Sequence, residues 1–289
     1  MKDIATLAMQ ILNNIDIILV EPSHPGNIGS SARAMKTMGL SNLKVVTSKN
    51  IITDESVALS KGAKDVLEKA QVFATLDDAL KDVNLVAGTS ARIRSIDLPL
   101  YQPHEAAINI AKYWDKGNRI GIVFGRERTG LTNEELLKCD FHINIDANLE
   151  YSSLNLAMSV QVISYELRQR LVRNLGLLNE NDFEVISDLT NNIEGAKNKE
   201  EPSLSKNTQD AQDLNIGEYK KPTHEDLESY YRFLEQNLTN CGFLKGEHNT
   251  SVLAQLRRIY AKANLTKHEL QILYGTQASL IKHATNSKK

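Results

Sequence analysis

Three short stretches of this 289-residue chain set glycines, small polar side chains and charged groups directly after apolar runs. They are Glu21-Pro-Ser-His-Pro-Gly-Asn-Ile-Gly-Ser-Ser-Ala-Arg33, Phe124-Gly-Arg-Glu-Arg-Thr-Gly-Leu131 and Tyr151-Ser-Ser-Leu-Asn-Leu-Ala157. In the first, the span from Pro25 to Gly29 reads as a loop whose backbone approaches a ligand closely, and the helix N-terminus after it can receive a phosphate. Asn27 adds an amide there. Arg33, on the first two turns of that helix, reads either as a solvated arginine or as a group reaching the ligand near the loop. In the second stretch Gly125 permits close approach, Glu127 places a carboxylate in the loop, and Gly130 allows a turn before the helix cap Thr132. Arg126, Glu127 and Arg128 fit a solvated turn, but three charges between two glycines at a strand end favour a site. In the third, Ser152 or Ser153 reads as a helix N-cap. The exposed N–H groups behind it can also hold a ligand, with Ser153 and Asn155 aimed at the same place. His24 is the one histidine of seven placed to touch a ligand.

These stretches need a scaffold that gathers them. Residues 16–21 read as a buried strand, 28–38 as a helix closed by Gly39, and 43–47 as the next strand. The alternation continues with strands near 71–74, 85–88, 119–124 and 141–145, and helices near 76–81, 103–114 and 132–138. This pattern predicts an α/β fold with a mostly parallel sheet covered on both faces. Each motif loop follows a strand, so all three can converge at the carboxyl ends of the sheet. Residues 152–171 predict the longest helix of this part, with Leu154, Leu156, Ala157, Val160, Val162, Ile163 and Leu167 forming a wide apolar face. That face suits a core helix, or one packed on both the sheet and a partner. Residues 173–221 turn polar and read as a linker with room for a short helix over 182–191. Thr223 and Asp226 then resemble a capping box. Helices follow up to Gly242, over 251–263, and over 267–283 behind the cap Thr266. The expected organisation is an N-terminal extension (1–14), an α/β domain (15–172), a linker (173–221) and a small helical C-terminal module (222–289).

Composition narrows the function classes. Cys139 and Cys241 form no C-x-x-C pair or Cys/His cluster, which points to a reducing cytoplasm and no structural metal. No run of ~18 apolar residues exists, so a membrane span is not expected. The opening residues are too polar for a signal peptide. Net charge is −2, and only the C-terminal module is basic, with nine Lys/Arg against six Asp/Glu in 222–289. A nucleic-acid partner would have to be met by local patches. P-loop, nucleophile-elbow and HExxH patterns are absent. Gly26, Gly29 and Ala32 make a loose dinucleotide fingerprint, but residues 45–49 offer no acid for a ribose, although Lys44 or Lys49 suits a phosphorylated one.

The order, spacing and strand context of the three stretches resemble the signature motifs of the SPOUT (SpoU-type) RNA 2′-O-methyltransferases. They are most similar to the TrmJ branch, which methylates riboses in the tRNA anticodon loop. The resemblance runs from about Ile15 to Arg168 and resumes more weakly near the C-terminus. Residues 1–8 precede the usual family start, and Met9 offers an alternative one. The resemblance implies a C-terminal trefoil knot whose loops hold S-adenosylmethionine in a bent form. It implies a donor pocket of Thr89, Ser90, Ala91, Gly125, Ile145, Ser152, Ser153 and Leu154. It implies a catalytic set of Arg33, Asn27, Glu127, Ser153 and Asn155, and RNA contacts at Arg92, Arg94, Arg126 and Arg128. A cytoplasmic homodimer is implied, with Arg33 of one protomer facing the donor and Asn155 of the other. The implied substrate is tRNA, at the pyrimidine nucleotide 32. Alternatives are another tRNA or rRNA ribose, or a non-catalytic tRNA-binding protein on the same fold.

Overall fold

The computed structural model of the chain describes residues 12–91, 98–114, 117–148, 150, 153–174, 220–244 and 249–286. Seven parallel strands form one sheet: β1 (Ile15–Val20), β2 (Asn42–Val46), β3 (Gln71–Phe73), β4 (Leu85–Thr89), β5 (Leu100–Tyr101), β6 (Ile120–Phe124) and β7 (Phe141–Ile143). Their order is β3-β2-β1-β6-β4-β7-β5. The central strands β1 and β6 are buried throughout, as expected of parallel strands covered on two faces. On one face lie α1 (Pro25–Thr37), α2 (Asp54–Ser60), α3 (Lys64–Glu68), α5 (Pro103–Trp114) and α7 (Leu156–Asn174). The other face carries α4 (Leu76–Leu80) and α6 (Asn133–Leu136).

Helix α1 starts at Pro25, not at residue 28, because proline suits the first helical position. The span from Pro25 to Gly29 is therefore its first turn rather than a loop, and its glycines have another use. A Cβ on Gly29 would lie 2.0 Å from the Ser56 carbonyl oxygen, and one on Gly26 would lie 2.7 Å from Leu59 Cδ1. They let α1 and α2 touch, and do not serve ligand approach. Helix α7 likewise starts later than expected, at Leu156. Ser152 lies outside the described residues, and Ser153 is not the cap of α7. Asn155 is, its side-chain oxygen accepting from the Ala157 N–H at 2.9 Å. Helix α6 is one turn, shorter than expected, and β7 stops at Ile143. The elements α2, α3, the 3-10 turn Lys61–Ala63 and β5 have no counterpart in the sequence reading, since each is too short to show a period. The short helix expected over 182–191 lies outside the described residues.

The amino ends of the strands are tied by charge. Asp16, fully buried on β1, accepts two hydrogen bonds of 2.7 Å from Arg119 and pairs with Lys44 of β2 at 3.0 Å. Asp82 closes the network, 2.7 Å from Lys44 and 3.0 Å from Arg119. Burial pushes the Asp82 carboxyl up, but the Lys44 hydrogen bond and the two cations outweigh it and hold it below its ordinary value.

Three helices follow: α8 (His224–Asn240), α9 (Asn249–Ala263) and α10 (Lys267–Asn286). The Thr223–Asp226 capping box forms as expected, and Thr266 caps α10. Tyr230, Tyr231, Leu234 and Leu270 make their core. This bundle docks on the amino ends of the sheet. The His224 N–H donates to the Val83 carbonyl at 2.8 Å, and the Asn84 side-chain amide donates to the Lys221 carbonyl at 2.9 Å. Lys221 reaches Asp140 at 3.6 Å and lies 4.8 Å from the Tyr113 ring centre.

Asp16→Ala leaves Lys44 buried against a lost partner and should cost about 3 kcal/mol of stability, read as a shift of the denaturant midpoint. The depressed Asp82 contributes stability in full above the unfolded carboxylate value near ~3.9, and that contribution is lost as the pH falls through its lower folded value. Asp82→Asn should accordingly shallow the acid limb of a stability–pH profile, and an unchanged limb would contradict this assignment.

Candidate active site

The carboxyl ends of β4, β6 and β7 open into a cleft of about 350 Å³, within the range of small-molecule sites. Thr89, Ser90 and Ala91 line it from β4, Gly125 to Gly130 from the loop after β6, and Ile145, Ser153 and Leu154 from the segment after β7. Every described residue expected in the donor pocket is thus at one place. Phe124, Thr129, Ile143, Leu156 and Ser159 also line it; the sequence reading did not place them in the pocket, although Phe124, Thr129 and Leu156 are within the motifs. The loop after β6 is a closed turn. A Cβ on Gly125 would sit 2.2 Å from the backbone of Gly130 and Leu131, Gly130 has φ of 69°, and its N–H donates to the Arg126 carbonyl at 2.8 Å.

Beside the cleft the three motifs are joined through their side chains. The Glu127 carboxylate accepts from the Ser23 N–H at 2.8 Å, the His24 N–H at 3.4 Å and the Asn27 amide at 2.7 Å. Asn27 accepts in turn from the Asn155 amide at 2.9 Å. Asn155 spends its own oxygen capping α7. One chain of hydrogen bonds therefore runs from Glu127 through Asn27 and Asn155 to the N-terminus of α7. Burial raises the Glu127 carboxyl, but the Asn27 amide and the Ser23 N–H outweigh this and bring it down to about 2. It is a fixed anion at any physiological pH, suited to holding donors rather than exchanging protons.

The charged residues divide by their partners. Arg126 is gripped by Glu135, with two hydrogen bonds of 3.0 and 3.1 Å. Arg128 is exposed at the cleft and makes no side-chain ion pair among the described residues. Of the two arginines expected to meet RNA from this loop, Arg128 is the one left available. Arg92 and Arg94 lie outside the described residues. Arg33 is exposed on α1 and does not line the cleft. Because α1 begins at Pro25, Arg33 lies in its third turn, about 120° around the helix from Asn27. Its own chain does not bring it to the Asn27–Glu127–Asn155 cluster. His24 contributes a backbone N–H to Glu127 and its ring is exposed.

A second cavity, of about 310 Å³, lies at the opposite end of the sheet, between Val83, Val86 and Leu137 on one side and Leu227, Tyr231 and Ala254 on the other. Several of its polar groups are engaged: Asn84 on Lys221 and Arg119, His224 and Lys138 on Asp77, and Arg257 on Glu228. It is a seam of the docked bundle.

Comparison with known proteins agrees with this geometry. The model of the SpoU rRNA Methylase family matches residues 14–165, and that of the tRNA methyltransferase TrmJ C-terminal domain matches residues 225–289. The chain is 43% identical over 271 residues to a tRNA (cytidine/uridine-2'-O-)-methyltransferase TrmJ of Citrobacter koseri, covering 93% of this chain and 97% of that protein. It is 41% identical to an uncharacterized tRNA/rRNA methyltransferase of Haemophilus influenzae, covering 96% and 99%. Among solved structures, TrmJ from Z. mobilis ZM4 superposes with a TM-score of 0.68 at 26% identity, covering 92% of this chain and 98% of that one. A probable methylase family protein from Haemophilus influenzae Rd KW20 gives 0.53 at 40% identity, covering 96% and 99%. The family-model match over residues 14–165 and these relatives, together with the joined motifs and the parallel sheet beneath them, show that this chain belongs to the SpoU methylase family.

Proposed function

We propose that the protein methylates the 2′-hydroxyl of a tRNA ribose with S-adenosylmethionine as donor, and that the target is the pyrimidine nucleotide 32 of the anticodon loop. The observation that carries this reading is that the second and third motifs line one cleft and the first is tied to both beside it through the Glu127–Asn27–Asn155 chain. The cleft's residues fit the donor. Ile143, Ile145, Leu154 and Leu156 offer apolar surface for a purine, Thr89 and Ser153 offer hydroxyls, and Arg128 offers a cation to a carboxylate. The names of the relatives support a pyrimidine ribose of tRNA as substrate.

When bound, the donor supplies an electrophilic sulfonium methyl, which leaves the protein two tasks: aligning the ribose and easing the loss of its hydroxyl proton. Asn27, Glu127 and Asn155 serve the first task by fixing the motif loops against each other, with Ser153 beside them to meet the ribose. Arg33 serves the second. A guanidinium stays protonated, so its role is electrostatic, stabilising the developing alkoxide and holding the neighbouring phosphate.

Arg33 is turned away from its own cluster, which supports a homodimer in which it reaches the other protomer's site. Helix α7 supports the same reading. Leu156, Val160, Ile163 and Leu167 are buried within the chain, whereas Met158 and Tyr165 are 63% and 48% exposed on another face. That second stripe suits a self-complementary two-fold contact. The trefoil knot and a cytoplasmic location belong to this reading too. β7 lies between β4 and β5, two strands that precede it in the chain, and this strand order supports the knot.

Nucleoside mass spectrometry of total tRNA with and without the gene should show loss of one 2′-O-methylated pyrimidine at position 32, and an unchanged profile would refute the substrate. Arg33→Ala should abolish transfer while leaving donor affinity nearly unchanged by calorimetry. Arg33→Ala and Asn155→Ala protomers, mixed and verified as heterodimers, should regain activity, because one composite site carries neither substitution. No recovery in verified heterodimers would place both residues in one protomer's site.

A further inference from the structure

The motif loop after β6 is built to be held from behind. Its Arg126 side chain lies at the cleft, and both guanidinium hydrogen bonds go to Glu135, nine residues on. Glu135 is itself fixed. It is the N3 residue of α6, its Oε2 accepts from the Thr132 N–H at 2.7 Å, and its own N–H donates to Thr132 Oγ1 at 3.2 Å. Its side chain is 14% exposed against 29% for Arg126. A bidentate pair of this kind fixes direction as well as distance. The loop it clamps has little slack, since Gly125 has no room for a Cβ and Gly130 closes the turn. The same loop carries Glu127, which anchors the first motif.

We infer that Glu135 is a positioning residue for methyl transfer: by gripping Arg126 from the first turn of α6 it holds the wall of the donor cleft in its binding shape. It touches neither donor nor ribose. This rests on the reading of the cleft as the S-adenosylmethionine site. Helix capping is a separate task of the same side chain, and Thr132 separates the two. Thr132→Ala removes half of the cap and leaves the Arg126–Glu135 pair and the Thr132 N–H in place. Glu135→Gln keeps the cap, because glutamine serves at N3, and keeps an acceptor for Arg126.

The test uses full-length protein, with S-adenosylmethionine affinity by calorimetry, the donor KM and kcat on tRNA, and the melting temperature. Glu135→Ala should weaken donor binding and raise the donor KM about tenfold, with kcat at saturating donor changed far less. Glu135→Gln should restore most of that loss. Thr132→Ala should lower the melting temperature without weakening the donor. Arg126→Ala added to Glu135→Ala should cost little more, because the two act as one unit. Unchanged donor affinity in Glu135→Ala would overturn the inference, as would equal losses in Thr132→Ala or additive losses in the double variant. If wild-type protein bound no S-adenosylmethionine, the reading of the cleft itself would fall, an outcome distinct from all of these.

Discussion

One carboxylate organises the active end of this molecule. Glu127 gathers two backbone N–H groups and the Asn27 amide, and through Asn27 it reaches Asn155 and the start of α7. The residues it joins lie 100 or more positions away along the chain. Asn27 is engaged on Glu127 and Asn155, and Asn155 on Asn27 and the Ala157 N–H, so these bonds offset part of the entropy of ordering the three loops. Donors aimed at an ionised acceptor make stronger hydrogen bonds than neutral pairs, and so weak a base stays charged under any working condition.

The two ends of the sheet divide the work. The carboxyl ends carry the cleft and the motif lock. At the amino ends lie the Asp16–Lys44–Arg119–Asp82 network and the docking contacts of the C-terminal bundle. None of the bundle's described residues lines the cleft of its own chain. Any part it plays in RNA recognition is played at a distance from the target ribose, or in the site of another protomer.

Much of this was legible in the residues. The apolar runs from Ile15 to Val20 and from Ile120 to Phe124 have no other reading than buried strands, and the Thr223–Asp226 cap announced α8. That Thr89, Ser90, Ala91, Gly125, Ile145, Ser153 and Leu154 share one pocket was implied by the family resemblance, and they line one cleft. Other features depend on partners far along the chain, which spacing does not report. Gly26 and Gly29 resemble ligand-facing glycines until Ser56 and Leu59 are seen against them. That the Asn155 amide donates to Asn27 is likewise reported by no spacing. Arg126 and Arg128 are alike as sequence, and only Glu135 tells them apart. The start of α7 was misread because two serines stand where a cap is welcome, while the asparagine after them fills the role.

The claim that the Glu127–Asn27 bond locks the motifs together is tested most directly by a double-mutant cycle on the protein without added ligand. Glu127→Ala, Asn27→Ala and the double variant would be compared by denaturant unfolding. The lock predicts that the second substitution costs little once the first is made, with a coupling of about 1.5 kcal/mol or more for a hydrogen bond to a charged group. Losses that simply add would contradict it, and the motifs would then be brought together by their ligands.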